Sequence, residues 1–168
     1  RDITPPTNHN CLVVGGGPSI EMHHQLETLA AADRSNLTVL TCDKMLIPLL
    51  SHGVVPDFCI SVDGSPIILD FFKHKLVKAN LDKIKIFMHI AVNPAVVRYL
   101  YRNKAQVYWF LAHQVYVNEA EVEDSDAIVT ISMTSTKAHP KGVQTIVAAG
   151  NVGCCAWATA IIILKQKD

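Results

Sequence analysis

Short apolar runs alternate along this chain with segments whose apolar residues recur at helical spacing. Cys11–Val14 (CLVV) has strand character and stops at Gly15, Gly16, Gly17, Pro18 and Ser19. Beyond that stop Met22, Leu26 and Leu29 stand at i, i+4 and i+7, the stripe of one amphipathic helix. Leu37–Cys42 (LTVLTC) reads as a second strand closed by Asp43, and Met45–His52 as a short helix with its stop at Gly53 and Pro56. Phe58–Val62 (FCISV) is a third strand, closed by Asp63-Gly64 and Ser65-Pro66. Ile67–Lys78 is an amphipathic helix with Lys73, Lys75 and Lys78 on its solvated face. Lys85–Met88 is a fourth strand ending at His89, Pro94–Arg102 a helix with Val97 and Tyr101 on one side, and Gln106–Leu111 a fifth strand ending near His113.

The rhythm then changes. Glu119–Asp126 carries the acidic residues Glu119, Glu121, Glu123, Asp124 and Asp126 in a loop-like run, read as solvated. Ala127–Ile131 is the expected sixth strand, followed by a polar loop with Ser132, Thr134, Ser135 and Thr136. Asn151 is placed to cap a helix over Cys154–Leu164, apolar on every side and therefore expected to be buried. Strands separated by helices imply right-handed parallel crossovers. The fold class is α/β, a three-layer Rossmann-like and mostly parallel sheet with helices on both faces.

Composition narrows the reading. A length of 168 residues suits one domain, 1–168, and the start at Arg1 without methionine reads as a piece of a longer chain. Hydrophobic residues make up 49% and charged residues 18%, as expected where elements are buried on more than one face. Lys+Arg and Asp+Glu both number 15, which gives no electrostatic case for nucleic acid as a partner. The apolar stretch Ile161–Leu164 falls well short of the ~20 residues of a membrane span. The 5 cysteines are odd in number and show no CxxC spacing, so they read as reduced core thiols of a cytoplasmic protein.

The candidate chemistry lies where strands end. Gly15, Gly16 and Gly17 let the backbone turn sharply and let a ligand come close; Pro18 suits the first helical position. Such a corner is a ready anion site, and phosphate is the obvious occupant. It is neither a GxGxxG pattern, since Ile20 stands where the third glycine belongs, nor a GxxxxGK[ST] pattern. If the strands are parallel, Gly15–Ser19, Asp43, Asp63, His89 and His113 share the carboxyl edge of one sheet, where α/β ligands bind. On that edge Gly16, Gly17 and Ser19 would hold phosphate, Asp43 and Asp63 would hold Mg²⁺, and His89 and His113 are the acid/base groups. Asn151-Val152-Gly153 would supply a second helix start to the ligand. The expected partner is therefore a small-molecule nucleotide, with a homo-oligomer of this chain as a further candidate.

The stretches GGGPSI, TCDKMLIPLLSHGVVPDFCISVDGSP and GNVGCCAWATA resemble the archaeal hydroxymethyl-dihydropterin diphosphokinase (MptE-like) family, whose domain also occurs in bacterial flagellin-modification (Maf) proteins. The resemblance covers Cys11 to about Pro66 and returns at Gly150–Ala160. It implies a Rossmann-like sheet and pyrophosphoryl transfer from ATP with Mg²⁺ at Asp43 and Asp63. One departure stands out: where two aspartates flanking one residue are expected, this chain has Ser61-Val62-Asp63. Flagellin-associated members, and sialyltransferases with a similar corner, imply instead a nucleotide-activated sugar as donor. The leading expectation is thus a Mg²⁺-dependent transferase using ATP and a pterin-type acceptor. A glycosyltransferase is the first alternative, and a non-catalytic binding module of a larger protein the second.

Overall fold

Among the described residues six strands lie side by side in chain order, every neighbouring pair parallel: β1 (Asn10–Val14), β2 (Leu37–Cys42), β3 (Phe58–Ser61), β4 (Lys85–His89), β5 (Gln106–Gln114) and β6 (Gln144–Ala148). The computed structural model describes residue 6 and residues 10–114, 144–148 and 151–165. The acidic run Glu119–Asp126, the strand expected at Ala127–Ile131 and the polar loop after it lie outside the described residues. The sixth strand found here is Gln144–Ala148. Its sequence, QTIVA, offers only a brief apolar run after two polar residues, which is why the pattern alone does not single it out.

The helices are α1 (Ser19–Met22), α2 (Gln25–Ala31), α3 (Leu46–Ser51), α4 (Ile68–Lys73), α5 (Lys75–Lys78), α6 (Pro94–Arg102) and α7 (Val152–Ile162). A right-handed crossover that always steps in one direction leaves its helix on the same face each time. Accordingly, α1 to α6 cover one face through two apolar clusters, one built around Phe72, Met88 and Leu100 and the other around Ile20, Leu29 and Leu49. The opposite face is packed by α7, whose Cys155, Ala156 and Ala160 meet Leu40, Phe58, Ile60, Phe87 and Phe110. Helices therefore lie on both faces of a parallel sheet, as the alternation of patterns implies.

Local departures have local causes. The helix read through Met22, Leu26 and Leu29 is broken: α1 is a single turn, His24 takes a left-handed conformation (φ 48°), and α2 starts afresh at Gln25. Histidine tolerates that conformation better than most side chains. The break turns Met22 out to 72% exposure and lets Ile20 be buried in its place. His23 and His24 are exposed, as expected. Likewise the helix read over Ile67–Lys78 divides at His74, whose ring nitrogen accepts from the Leu76 N–H. In α6 the buried stripe is Val96 and Leu100, not Val97 and Tyr101. Two adjacent valines leave the helical phase open, and Tyr101, 83% exposed, keeps its hydroxyl in water. α7 is not buried all round, because Trp157, Ile161 and Ile162 face outwards.

Gly53 closes α3 in the left-handed region at φ +73°, a position where a Cβ would be strained. The following Val54-Val55-Pro56-Asp57 segment then serves the sheet. Asp57 Oδ2 accepts the Val39 N–H at 2.8 Å, its own N–H donates to the Val39 carbonyl, and its carbonyl accepts the Lys85 N–H. One residue thus sets β2 against the entries to β3 and β4. No helix among the described residues is long and apolar enough to cross a membrane. The cysteines are free thiols, and burial raises those of Cys42, Cys59 and Cys155, while Cys11 is pushed up to about 11 by burial and by the Asp57 charge.

Replacing Asp57 by Ala leaves the Val39 N–H without its carboxylate, which costs on the order of 1–3 kcal/mol. Urea unfolding at constant slope checks this; an unchanged midpoint would remove Asp57 from the account of the sheet.

Candidate functional site

Because every strand runs the same way, the loops that follow β1, β2, β3 and β4 emerge at one edge, and they carry Gly15–Ser19, Asp43, Asp63 and the residues after His89. His113 lies one residue before the end of β5, opposite Val147 of β6. The sequence-derived candidates therefore do share the carboxyl edge. A cavity of about 910 Å³ opens there beside β1. Gly15, Gly16, Gly17 and Ser19 line it from one side and Asn151, Val152 and Gly153 from another. Its floor is aliphatic, with Leu12, Leu26 and Leu29.

The glycine corner is built by the end of the strand. Pro18 adopts a helical backbone (φ −65°, ψ −22°) without lining the cavity, and the Ile20 N–H returns to the Gly17 carbonyl at 3.3 Å. With α1 only one turn long, its macrodipole is small, so the anion site read from that helix start is left with its backbone N–H groups. The stronger helix end belongs to α7, 11 residues long. Asn151 Oδ1 accepts the Cys154 N–H at 3.0 Å, the N-cap expected of it. A Cβ on Gly153 would lie 3.1 Å from that same oxygen, so the close cap calls for glycine. Glu21 is exposed and stays out of the lining.

Beneath the corner, β2 ends in Cys42, whose thiol lies against the backbone N–H groups of Met45 and Gly16 and lines the cavity. A 3₁₀ turn, Asp43–Met45, follows. It sends Lys44 up beside Gly16: a Cβ on Gly16 would sit 3.5 Å from Lys44 Cδ. Reading by motif overlooks Lys44, because it is not in a Walker-type spacing; its position directly after Asp43 at a strand end is the one signal available.

Asp43 is 5% exposed and turns away from the lining. Its Oδ2 accepts the Ser61 hydroxyl at 2.6 Å, and its Oδ1 accepts the Lys44 N–H at 2.7 Å. Burial raises its carboxyl above the ordinary 3.8; those two bonds pull it down and the nearby Asp63 charge pushes it up. Ser61 stands where the family resemblance leads one to expect an aspartate. A third carboxylate at that spot would repel Asp43, whereas the serine satisfies it. Asp63 is exposed, and its Oδ1 accepts the Ser65 N–H at 2.8 Å. Neither aspartate lines the cavity that holds the glycines.

His89 packs its ring against Phe110 with centroids 5.6 Å apart, and burial lowers its pKa, so the ring is neutral at pH 7. Its Nε2 is buried without a hydrogen-bond partner among the described residues. It too stands outside the cavity lining. No group of three His, Cys, Asp or Glu among the described residues is arranged to hold a metal ion. What the edge offers is a glycine-lined recess with a lysine, and next to it the buried Asp43 and the exposed Asp63.

A parallel sheet with helices on both faces and a glycine-lined cavity at its carboxyl edge defines a Rossmann-like α/β domain. More narrowly, the chain belongs to the MptE-like family, described as 6-hydroxymethylpterin diphosphokinase MptE-like, which it matches over residues 2–162. Among solved structures it is similar to the MAf glycosyltransferase from Magnetospirillum magneticum AMB-1, with a TM-score of 0.58 and 14% sequence identity. That match covers 95% of this chain and 22% of the other, so the chain spans less than a quarter of that protein's length. Comparison with curated proteins gives no match.

The buried Asp43 makes a pH-dependent prediction. Its folded pKa is raised, so its contribution to stability is complete below the ordinary value of 3.8 and is lost as the pH rises through the raised value. Asp43→Asn should gain on the wild type in urea unfolding as the pH goes from about 3.5 to about 7. A difference between the two proteins that does not vary with pH would contradict the burial of a charged carboxylate.

Proposed function

We propose that the protein is a transferase that holds a nucleotide donor in the cavity between Gly15–Gly17 and the start of α7. The observation that carries this reading is the cavity itself: about 910 Å³ at the carboxyl edge, glycine-lined where phosphate would lie and aliphatic where a larger body would rest. The family description and the structural neighbour's title are both those of group-transfer enzymes.

The first form of the proposal is pyrophosphoryl transfer from ATP to a hydroxymethyl, pterin-type acceptor, supported by the family description. The acceptor oxygen bonds to the β-phosphorus as the bond between that phosphorus and the AMP oxygen breaks. Such a reaction asks the protein for positioning and charge neutralisation more than for covalent chemistry. Gly16, Gly17, Ser19 and Gly153 would position the phosphates. Asp63, with Asp43 behind it, would hold Mg²⁺, which when bound draws charge off the phosphate oxygens. For the acceptor proton the candidates on this edge are His89, whose ring is neutral, and His113.

The second form is glycosyl transfer from a nucleotide-activated sugar. It is favoured by Ser61 in place of a second aspartate and by a cavity lining without carboxylates among the described residues, since a diphosphate donor needs a weaker metal clamp than a triphosphate.

Thermal unfolding and calorimetric titration separate these forms. A donor at ~100 times its Kd stabilises the fold by ~2.7 kcal/mol, a rise of about 5–10 °C in melting temperature. ATP with Mg²⁺ should produce that rise. CMP- or UDP-sugars doing so while ATP does not would select the second form, and silence from all of them, with no heat of binding, would overturn the proposal.

A further inference from the structure

Lys44 is the one charged side chain in the lining of the cavity among the described residues, and no carboxylate joins it there. The ion pairs found among the described residues both belong to Glu27, so Lys44 has no acidic partner in that set. Its placement is not accidental. The 3₁₀ turn Asp43–Met45 is fixed by the buried Asp43, which accepts the Lys44 N–H at 2.7 Å and the Ser61 hydroxyl at 2.6 Å. The aliphatic stem then runs past Gly16, with Cδ 3.5 Å from where a Cβ on that glycine would stand. The stem of the lysine thereby lies beside the glycine backbone of the cavity, while the two carboxylates of the same edge lie off its lining.

We propose that Lys44 supplies the counter-charge for the anionic group of the cavity's ligand, so that phosphate recognition beside Gly16 proceeds without a divalent cation. This inference rests on the donor-binding reading above and adds which residue reads the charge. It divides recognition in two: Lys44 and the Gly15–Gly17 backbone take the phosphates of a nucleoside diphosphate or its ester, and Leu12, Leu26 and Leu29 take the less polar body. Any Mg²⁺ held by Asp63 and Asp43 then serves the transfer step rather than attachment of the donor.

The test is calorimetric titration of the full chain with ADP, CDP and UDP, and with their nucleosides, in EDTA and again with Mg²⁺. The wild type should bind at least one of the diphosphates in EDTA. Lys44→Met should weaken that diphosphate about ten- to a hundredfold, the usual cost of a lost charged hydrogen bond, and leave its nucleoside unchanged. Lys44→Arg should restore most of the affinity. Lys44 is exposed, so both variants should melt with the wild type, and melting curves confirm that any loss is one of binding. Diphosphate binding that appears only with Mg²⁺ would overturn the inference and leave the donor reading standing, as would a Lys44→Met protein that binds like the wild type. Failure of the wild type to bind any of the diphosphates, with or without Mg²⁺, would overturn the inference, while the donor reading stands or falls with the ATP and nucleotide-sugar titrations above.

Discussion

The site depends on one packing constraint: a single helix, α7, touches strands at both edges of the sheet. α7 packs against β1, β2 and β3 as well as against β6, from which it follows closely in sequence. Six parallel strands laid flat would put their outer axes about 24 Å apart, five spacings of ~4.8 Å, whereas a helix with its side chains is only about 10–12 Å across. The length of α7, about 16 Å for its 11 residues, and the twist of a parallel sheet together bring strands from both edges within its reach. The small residues Ala156, Ala158 and Ala160 on its buried side let the helix lie close to the sheet. The start of α7 lies at the glycine corner, where Val152 and Gly153 line the same cavity, and Val152 packs against apolar residues of two clusters.

Electrostatics at the edge follow a similar economy. Asp43 is buried at the end of β2 and would be costly as a lone charge. The Ser61 hydroxyl and the Lys44 amide meet its two oxygens, and Ser61 does so from the neighbouring strand. The same carboxylate that ties β2 to β3 thereby orients the turn carrying the lysine. A buried hydrogen bond and a cavity-lining lysine are linked through adjacent positions in the chain, so Ser61 is coupled to the cavity without touching it.

Much of the fold was legible because parallel strands buried on both faces leave dense apolar runs; Leu37–Cys42 and Phe58–Ser61 stand out for that reason. Helical phase was less legible. Val96 and Val97 are equivalent to any periodicity, and only the packing of Leu100 chooses between them. The break at His24 is invisible as well, since two histidines carry little preference, and burial of Ile20 in place of Met22 decides it. The glycine corner and the Asn151 cap could be read from residue type, because few residues suit those backbones. Lys44 and Ser61 could not: their roles come from strands adjacent in space, and no spacing in the chain encodes them.

Sequential strand order also has a kinetic meaning. Each of the pairings β1–β2 to β4–β5 joins elements separated by one short crossover, so the loop to be closed at each step is small. The docking of α7 on β1 is of the other kind, since it joins the first strand to a helix near the far end of the chain. It requires the largest chain closure among the described elements, and it is the contact that gives the glycine recess its second wall. Assembly of the sheet and completion of the recess are thus separable in time.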